Sequence, residues 1–226
     1  MSGTNRQPLF IVVHGLPGSM DEDLYLEATR WFAAHGYATF RFNLYGAEKD
    51  SRQLVDSTLE THASDIDTIV RYFRKKRFGN IYLAGHSYGG PSILLSKDQK
   101  FDAVCLWDPS YKVSFIKTNR GVRSGVYIKE IGGYVMNWGI NFVIGKRMAE
   151  EADGMKWSKL TKDFHVPLRI IAAGNGSLVS GAQQYLKSGN APKELTIVKG
   201  ATHYFNDKAG MRENVFGLSD AWFKKH

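Results

Sequence analysis

The feature that most constrains this chain is a repeated exchange between short, unbroken apolar runs and longer segments of helical period. Residues 9–13 (Leu-Phe-Ile-Val-Val) read as a strand, and residues 21–35 read as an amphipathic helix with Leu24, Ala28, Trp31 and Phe32 on one face. Residues 37–42 give a second strand and residues 57–76 a second helix, with Ile66, Ile69, Val70 and Phe73 aligned. Further strands fall at 81–84, 103–107, 168–173 and 195–198, and a last helix at about 211–225. Strands that are apolar throughout are buried on both faces. Helices between them act as right-handed crossovers, so the strands run parallel. The expected fold is α/β: a three-layer sandwich, with a mostly parallel sheet of about six strands and helices on both faces.

The 226 residues fit one domain, and neither a linker nor an internal repeat divides them, so the whole of 1–226 is expected to fold as one unit. No segment reaches the ~20 apolar residues of a membrane helix. The early run at 9–13 is too short for a signal-peptide core, which makes the cytoplasm the expected location. A single cysteine, Cys105, forbids an internal disulfide and reads as a buried core residue. The net charge of +8 is concentrated at Arg71, Arg74, Lys75, Lys76 and Arg77, near the end of the second helix, where cations complement the helix dipole. No nucleic-acid-binding motif accompanies that charge. No histidine–carboxylate cluster has metal-ligand spacing, so neither a metal nor an organic cofactor is expected.

One stretch departs from the pattern. Residues 111–165 are too long for a βα connection and too apolar for a disordered loop, with Tyr127, Ile131, Tyr134, Met136, Trp138, Phe142 and Ile144 among them. The stretch begins directly after Asp108-Pro109, at the end of a strand. It is expected to form a lid, as a hairpin followed by a helix.

Gly85-His86-Ser87-Tyr88-Gly89 fits the pattern G-x-S-x-G between a strand and a helix. A sharp strand-to-helix turn lifts a serine oxygen out of the backbone, and the flanking glycines let neighbouring backbone pass. The N–H groups of the new helix also favour a developing oxyanion. Ser87 is the expected nucleophile.

With this element in place, nearly the whole chain resembles the α/β-hydrolase superfamily in its minimal form. His14-Gly15-Leu16-Pro17-Gly18-Ser19 is similar to the family's oxyanion turn, and the resemblance implies that the N–H groups of Leu16 and Tyr88 hold the oxyanion. It gives His14 a structural role in that turn. Gly200-Ala201-Thr202-His203-Tyr204-Phe205 resembles the catalytic-histidine loop. Among seven histidines, only His203 lies late in the chain and after a strand, as the order Ser, acid, His requires. His35 and His62 fall in helices, His165 precedes a strand, His226 is terminal, and His86 points away across the turn.

Many relatives carry the acid three residues after a glycine, following the penultimate strand. Here that turn is Gly174-Asn175-Gly176-Ser177, with a neutral serine at the acid position. Asp108, after the preceding strand, is the alternative some relatives use, and Asp153 and Asp163 remain candidates. Asp207 is expected to cap the segment C-terminal to it. A serine nucleophile implies acyl transfer, with a small-molecule ester or thioester of an apolar acyl group as substrate. An acyltransferase and a non-catalytic ligand-binding protein are the alternatives. The oligomeric state is not legible.

Overall fold

The computed structural model describes residues 7–46, 48–116 and 125–226. In chain order its first elements are β1 (Leu9–Val13), α1 (Asp23–Ala34), β2 (Ala38–Arg41), α2 (Leu59–Lys75), β3 (Ile81–His86), α3 (Gly89–Leu94) and β4 (Ala103–Trp107). Then come β5 (Val126–Ile128), β6 (Gly133–Asn137), β7 (Asn141–Gly145), α4 (Lys146–Gly154) and α5 (Trp157–Lys162). The chain ends with β8 (Leu168–Ala173), α6 (Val179–Ser188), β9 (Lys193–Val198) and α7 (Met211–Phe223).

Six strands form one sheet in the order β2-β1-β3-β4-β8-β9, and every neighbouring pair is parallel. Successive side chains on a strand point to opposite faces, so each unbroken apolar run feeds two cores. Phe10, Val12, Cys105, Trp107 and Ile171 pack under α1 and α7, against Tyr25, Phe32, Phe216 and Phe223. Phe10 stacks on Phe32 with ring centroids 3.8 Å apart, and the Trp107 indole N–H donates to Ser219 Oγ at 3.0 Å. Leu9, Ile11, Leu83, Val104, Leu106 and Ile170 face the other way, under α2, α3 and α6. This is the expected three-layer sandwich. Cys105 is buried and forms no disulfide, and burial pushes its thiol up to about 12.

α2 starts with a capping box between Thr58 and Thr61 and ends on Arg74 and Lys75. Among the described residues, two of the five cations at that end are ion-paired: Arg71 pairs with Asp98, and Arg74 pairs with Asp102 and donates to the carbonyls of Gly79 and Lys100.

The stretch between β4 and β8 holds more structure than a hairpin and a helix. β5, β6 and β7 form an antiparallel sheet of three short strands, followed by α4 and α5; residues 117–124 of the stretch lie outside the described residues. Met136, Ile144, Met148 and Ala149 are buried in the same core as α2 and α3. Glu151 of α4 accepts from the N–H groups of Leu59 (2.6 Å) and Glu60 (2.9 Å), placing a carboxylate at the N-terminus of α2. Among the described residues, no helix is long and apolar enough to cross a membrane.

Candidate active site

Strand register brings the candidate residues to one edge of the sheet. Val13 pairs with Gly85, His86 with Trp107, Trp107 with Ile171, and Ala173 with Val198. The segments leaving these strands carry Leu16, Ser87, Asp108 and His203. Ligand sites of open parallel sheets form outside the carboxyl ends of their strands.

Ser87 sits on the turn from β3 to α3 with φ at 53°, in the left-handed region that a β-carbon disfavours. Tertiary contacts hold it there. Its N–H donates to the Trp107 carbonyl (3.0 Å), and its carbonyl accepts from the N–H groups of Gly90 (3.1 Å) and Ser110 (3.0 Å). Gly15 and Gly89 permit the close approach of the neighbouring segments. A β-carbon on Gly15 would stand 2.8 Å from Ser87 Cβ, and one on Gly89 would stand 2.5 Å from the Val13 carbonyl oxygen.

Asp108, at the end of β4, also has a positive φ, of 40°, and is wholly buried. One of its carboxylate oxygens accepts from the Ala173 N–H at 3.0 Å; the other lies 2.6 Å from His203 Nδ1. A carboxylate acceptor at Nδ1 fixes the proton there and leaves Nε2 as the basic nitrogen. The turn after β8, where Ser177 occupies the acid position, passes close to the same carboxylate: a β-carbon on Gly176 would be 3.3 Å from Asp108 Oδ2. Asp163 is paired with Lys159, and Asp153 accepts from Ser114 Oγ at 3.2 Å. Neither is bonded to His203.

Asp207 corrects an expectation. Rather than capping the segment that follows it, it reaches back to accept from the Thr202 N–H (2.7 Å) and hydroxyl (2.8 Å), tying the base of the His203 loop; these bonds hold its carboxyl below the usual range. The short side chain closes its own loop, a local alternative to a helix cap.

The Gly15–Leu16 peptide is gripped by its carbonyl. Gly15 O accepts from His14 Nδ1 (2.8 Å), Tyr45 Oη (3.2 Å) and the Gly18 N–H (3.2 Å). The C=O and N–H of a trans peptide point in opposite directions, so three donors on the carbonyl fix where the Leu16 N–H points. Neither the Leu16 nor the Tyr88 N–H has an acceptor among the described residues. His14 Nε2 accepts from the Leu44 N–H at 3.0 Å, which makes Nδ1 the protonated nitrogen, and burial lowers its pKa to about 4.

Two neighbours of the site escaped sequence reasoning. Ser110 Oγ lies 3.3 Å from Ser87 Oγ and is the hydrogen-bond partner of the serine hydroxyl; no bond joins that hydroxyl to His203. The run Asp108-Pro109-Ser110 gives no such signal in sequence, because the contact depends on the β3–β4 register. Glu22, at the start of α1, is half-buried near His203 with Oε2 unpartnered, and burial raises its pKa. His86 is fully buried and turned from the serine toward α1 and the His203 loop.

A family described as alpha/beta hydrolase fold matches residues 8–123, just over half of the chain. No curated protein matches it. Among solved structures, Est1E from Butyrivibrio proteoclasticus with ferulic acid bound has a TM-score of 0.80 at 21% identity, covering 100% of this chain and 92% of that one. The esterase domain of a Rhodothermus marinus protein has a TM-score of 0.73 at 19% identity, covering 98% and 89%. A monoacylglycerol lipase from Paleococcus ferrophilus gives 0.72 at 15%, covering 97% and 96%. Likenesses at such identities concern the fold.

Proposed function

The chain belongs to the α/β-hydrolase fold family, and from that footing we propose that it is a serine hydrolase cleaving carboxylic esters, or thioesters, of an apolar acyl group. One observation carries this reading: a wholly buried carboxylate, Asp108, bonded at 2.6 Å to the ring of His203 at the sheet edge where Ser87 stands on its strained turn.

In the proposed reaction Ser87 Oγ attacks the acyl carbon while His203 Nε2 takes the hydroxyl proton. Asp108 stabilises the imidazolium. The carbonyl oxygen becomes an oxyanion facing the N–H groups of Leu16 and Tyr88, each such donor being worth about 3 kcal/mol. Collapse breaks the bond to the leaving group, which departs with the proton from His203. Water then attacks the acyl-enzyme, giving its proton to His203, and the acid leaves as Ser87 recovers its hydrogen. The Ser87–Ser110 contact fits this scheme, because catalytic hydrogen bonds often tighten only in the Michaelis complex.

The stretch between β4 and β8 serves in this reading as the lid and apolar wall. The Tyr88 ring meets Phe115 (centroids 5.9 Å), Phe115 stacks on Trp138 (6.0 Å), and Trp138 meets Phe142 (5.0 Å), so an aromatic series runs outward from the nucleophile turn. The esterase and lipase named among the structural neighbours are consistent with it.

The serine after β8 favours a second reading, a non-catalytic binding protein. Hydrolysis of p-nitrophenyl esters of graded chain length decides between them. Turnover is expected from the natural chain and none from Ser87→Ala at an unchanged melting temperature. Equal rates for the two proteins would refute the enzymatic reading.

A further inference from the structure

Two side chains outside the reacting set connect its halves. The Gly15 N–H donates to Tyr25 Oη at 3.1 Å, Tyr25 Oη lies 2.9 Å from His86 Nδ1, and His86 Nε2 lies 2.9 Å from the carbonyl oxygen of His203. The chemistry fixes every proton. A carbonyl only accepts, so Nε2 of His86 carries hydrogen; Nδ1 of the neutral ring then accepts, and the Tyr25 hydroxyl is its donor. The same Tyr25 oxygen receives the Gly15 N–H. No polar atom in this line is left without a partner.

Resting on the serine-hydrolase reading, we propose that Tyr25 and His86 are positioning residues, a buried relay that locks the oxyanion turn and the base loop into one register. One end of the relay is the peptide group immediately before the Gly15–Leu16 peptide whose N–H is aimed at the oxyanion. The other end is the backbone of His203 itself. A displacement of either end therefore misaligns donor and base together.

The placement is costly unless the bonds have a use. Tyr25 is wholly buried and His86 is 1% exposed; Tyr25 packs in the apolar cluster under α1 and α7. Burying a hydroxyl and an imidazole there is unfavourable without hydrogen bonds, and phenylalanine and leucine would fill similar space without that penalty. Burial also holds the His86 ring well below the usual histidine range, so it stays neutral and keeps an acceptor for Tyr25 near neutral pH. Neither side chain is bonded to Ser87.

The test compares wild type, Tyr25→Phe, His86→Leu and His86→Gln. Tyr25→Phe keeps the ring and removes both hydroxyl bonds. His86→Gln offers an amide N–H in place of the ε donor, whereas His86→Leu offers nothing. Steady-state ester hydrolysis is expected to show kcat reduced about tenfold to a hundredfold in Tyr25→Phe and His86→Leu, the scale of a small misplacement of reacting groups. KM should stay within about twofold, and His86→Gln should recover part of the lost kcat. Unchanged kcat with only a lower melting temperature, a rise in KM alone, or His86→Gln no better than His86→Leu would each overturn the proposal. Nitrogen-15 NMR of the imidazoles supplies a readout independent of turnover. It should find His86 protonated at Nε2 in wild type, with its Nδ1 signal moved in Tyr25→Phe. A proton on Nδ1 instead would overturn the relay even in a protein that hydrolyses no ester, whereas inactivity with the expected NMR signature would count against the enzymatic reading alone.

Discussion

Asp108 Oδ2 lies 2.6 Å from His203 Nδ1, although 95 positions separate the two residues in sequence. The carboxylate is reached from the end of β4, and its second oxygen is held by the Ala173 N–H on β8. Two neighbouring strands thus fix one acid, and the turn after β8 approaches it with a glycine and supplies no acid of its own.

Replacing that acid is the first prediction. Asp108→Asn keeps the size but lacks the charge that stabilises the imidazolium, and kcat for ester hydrolysis should fall by roughly 10⁴, as for triad acids elsewhere. Asp163→Asn should leave kcat within about twofold, since its carboxylate is committed to Lys159. The comparison is read by steady-state kinetics on one ester.

Gly15→Ala tests the close approach of the Gly15 turn to Ser87. The new methyl would lie 2.8 Å from Ser87 Cβ and 3.2 Å from the His86 carbonyl oxygen, both on a constrained turn. Turnover should fall by about 10² or more with the far-UV circular dichroism spectrum unchanged, because a shift of about 1 Å is enough.

Much of this site is readable from the order of residues alone because it is built on strand ends. The runs at 9–13, 81–84, 103–107 and 195–198 are largely apolar, and each leads into the motif or residue that matters, so order in sequence becomes position along one sheet edge. Tertiary register hides the rest. Ser110 meets Ser87 only because the β4 exit lies beside the β3–α3 turn, and nothing local marks it. Likewise His86 gains its partners from α1 and from a loop more than a hundred residues later. The sheet β5–β6–β7 is legible only as an apolar stretch: its strands are three to five residues long, half exposed, and held by packing such as Gly145 against the backbone of Val55.

Acid should weaken the fold through buried neutral histidines. Burial lowers His14 to about 4 and His62 to about 3. Between those values and the ordinary histidine pKa, ~6.5, the unfolded chain binds more protons than the folded one, so stability rises with pH. The melting temperature should therefore fall steadily as pH is lowered from about 6.5 towards 4. His62→Gln should flatten the slope, and a profile identical to wild type would remove His62 from the account.

Asp207→Ala should loosen the His203 loop by freeing the Thr202 N–H and hydroxyl. Expected is a fall in kcat of about tenfold with KM nearly unchanged, measured with the same ester.

The central claim, that Ser87 is an activated nucleophile, is tested most directly by covalent labelling with a fluorophosphonate and peptide mass spectrometry of the product. A single adduct on Ser87 is expected, abolished in Ser87→Ala and strongly slowed in Asp108→Asn. A folded protein that takes up no label, or takes it on another residue, would contradict the claim.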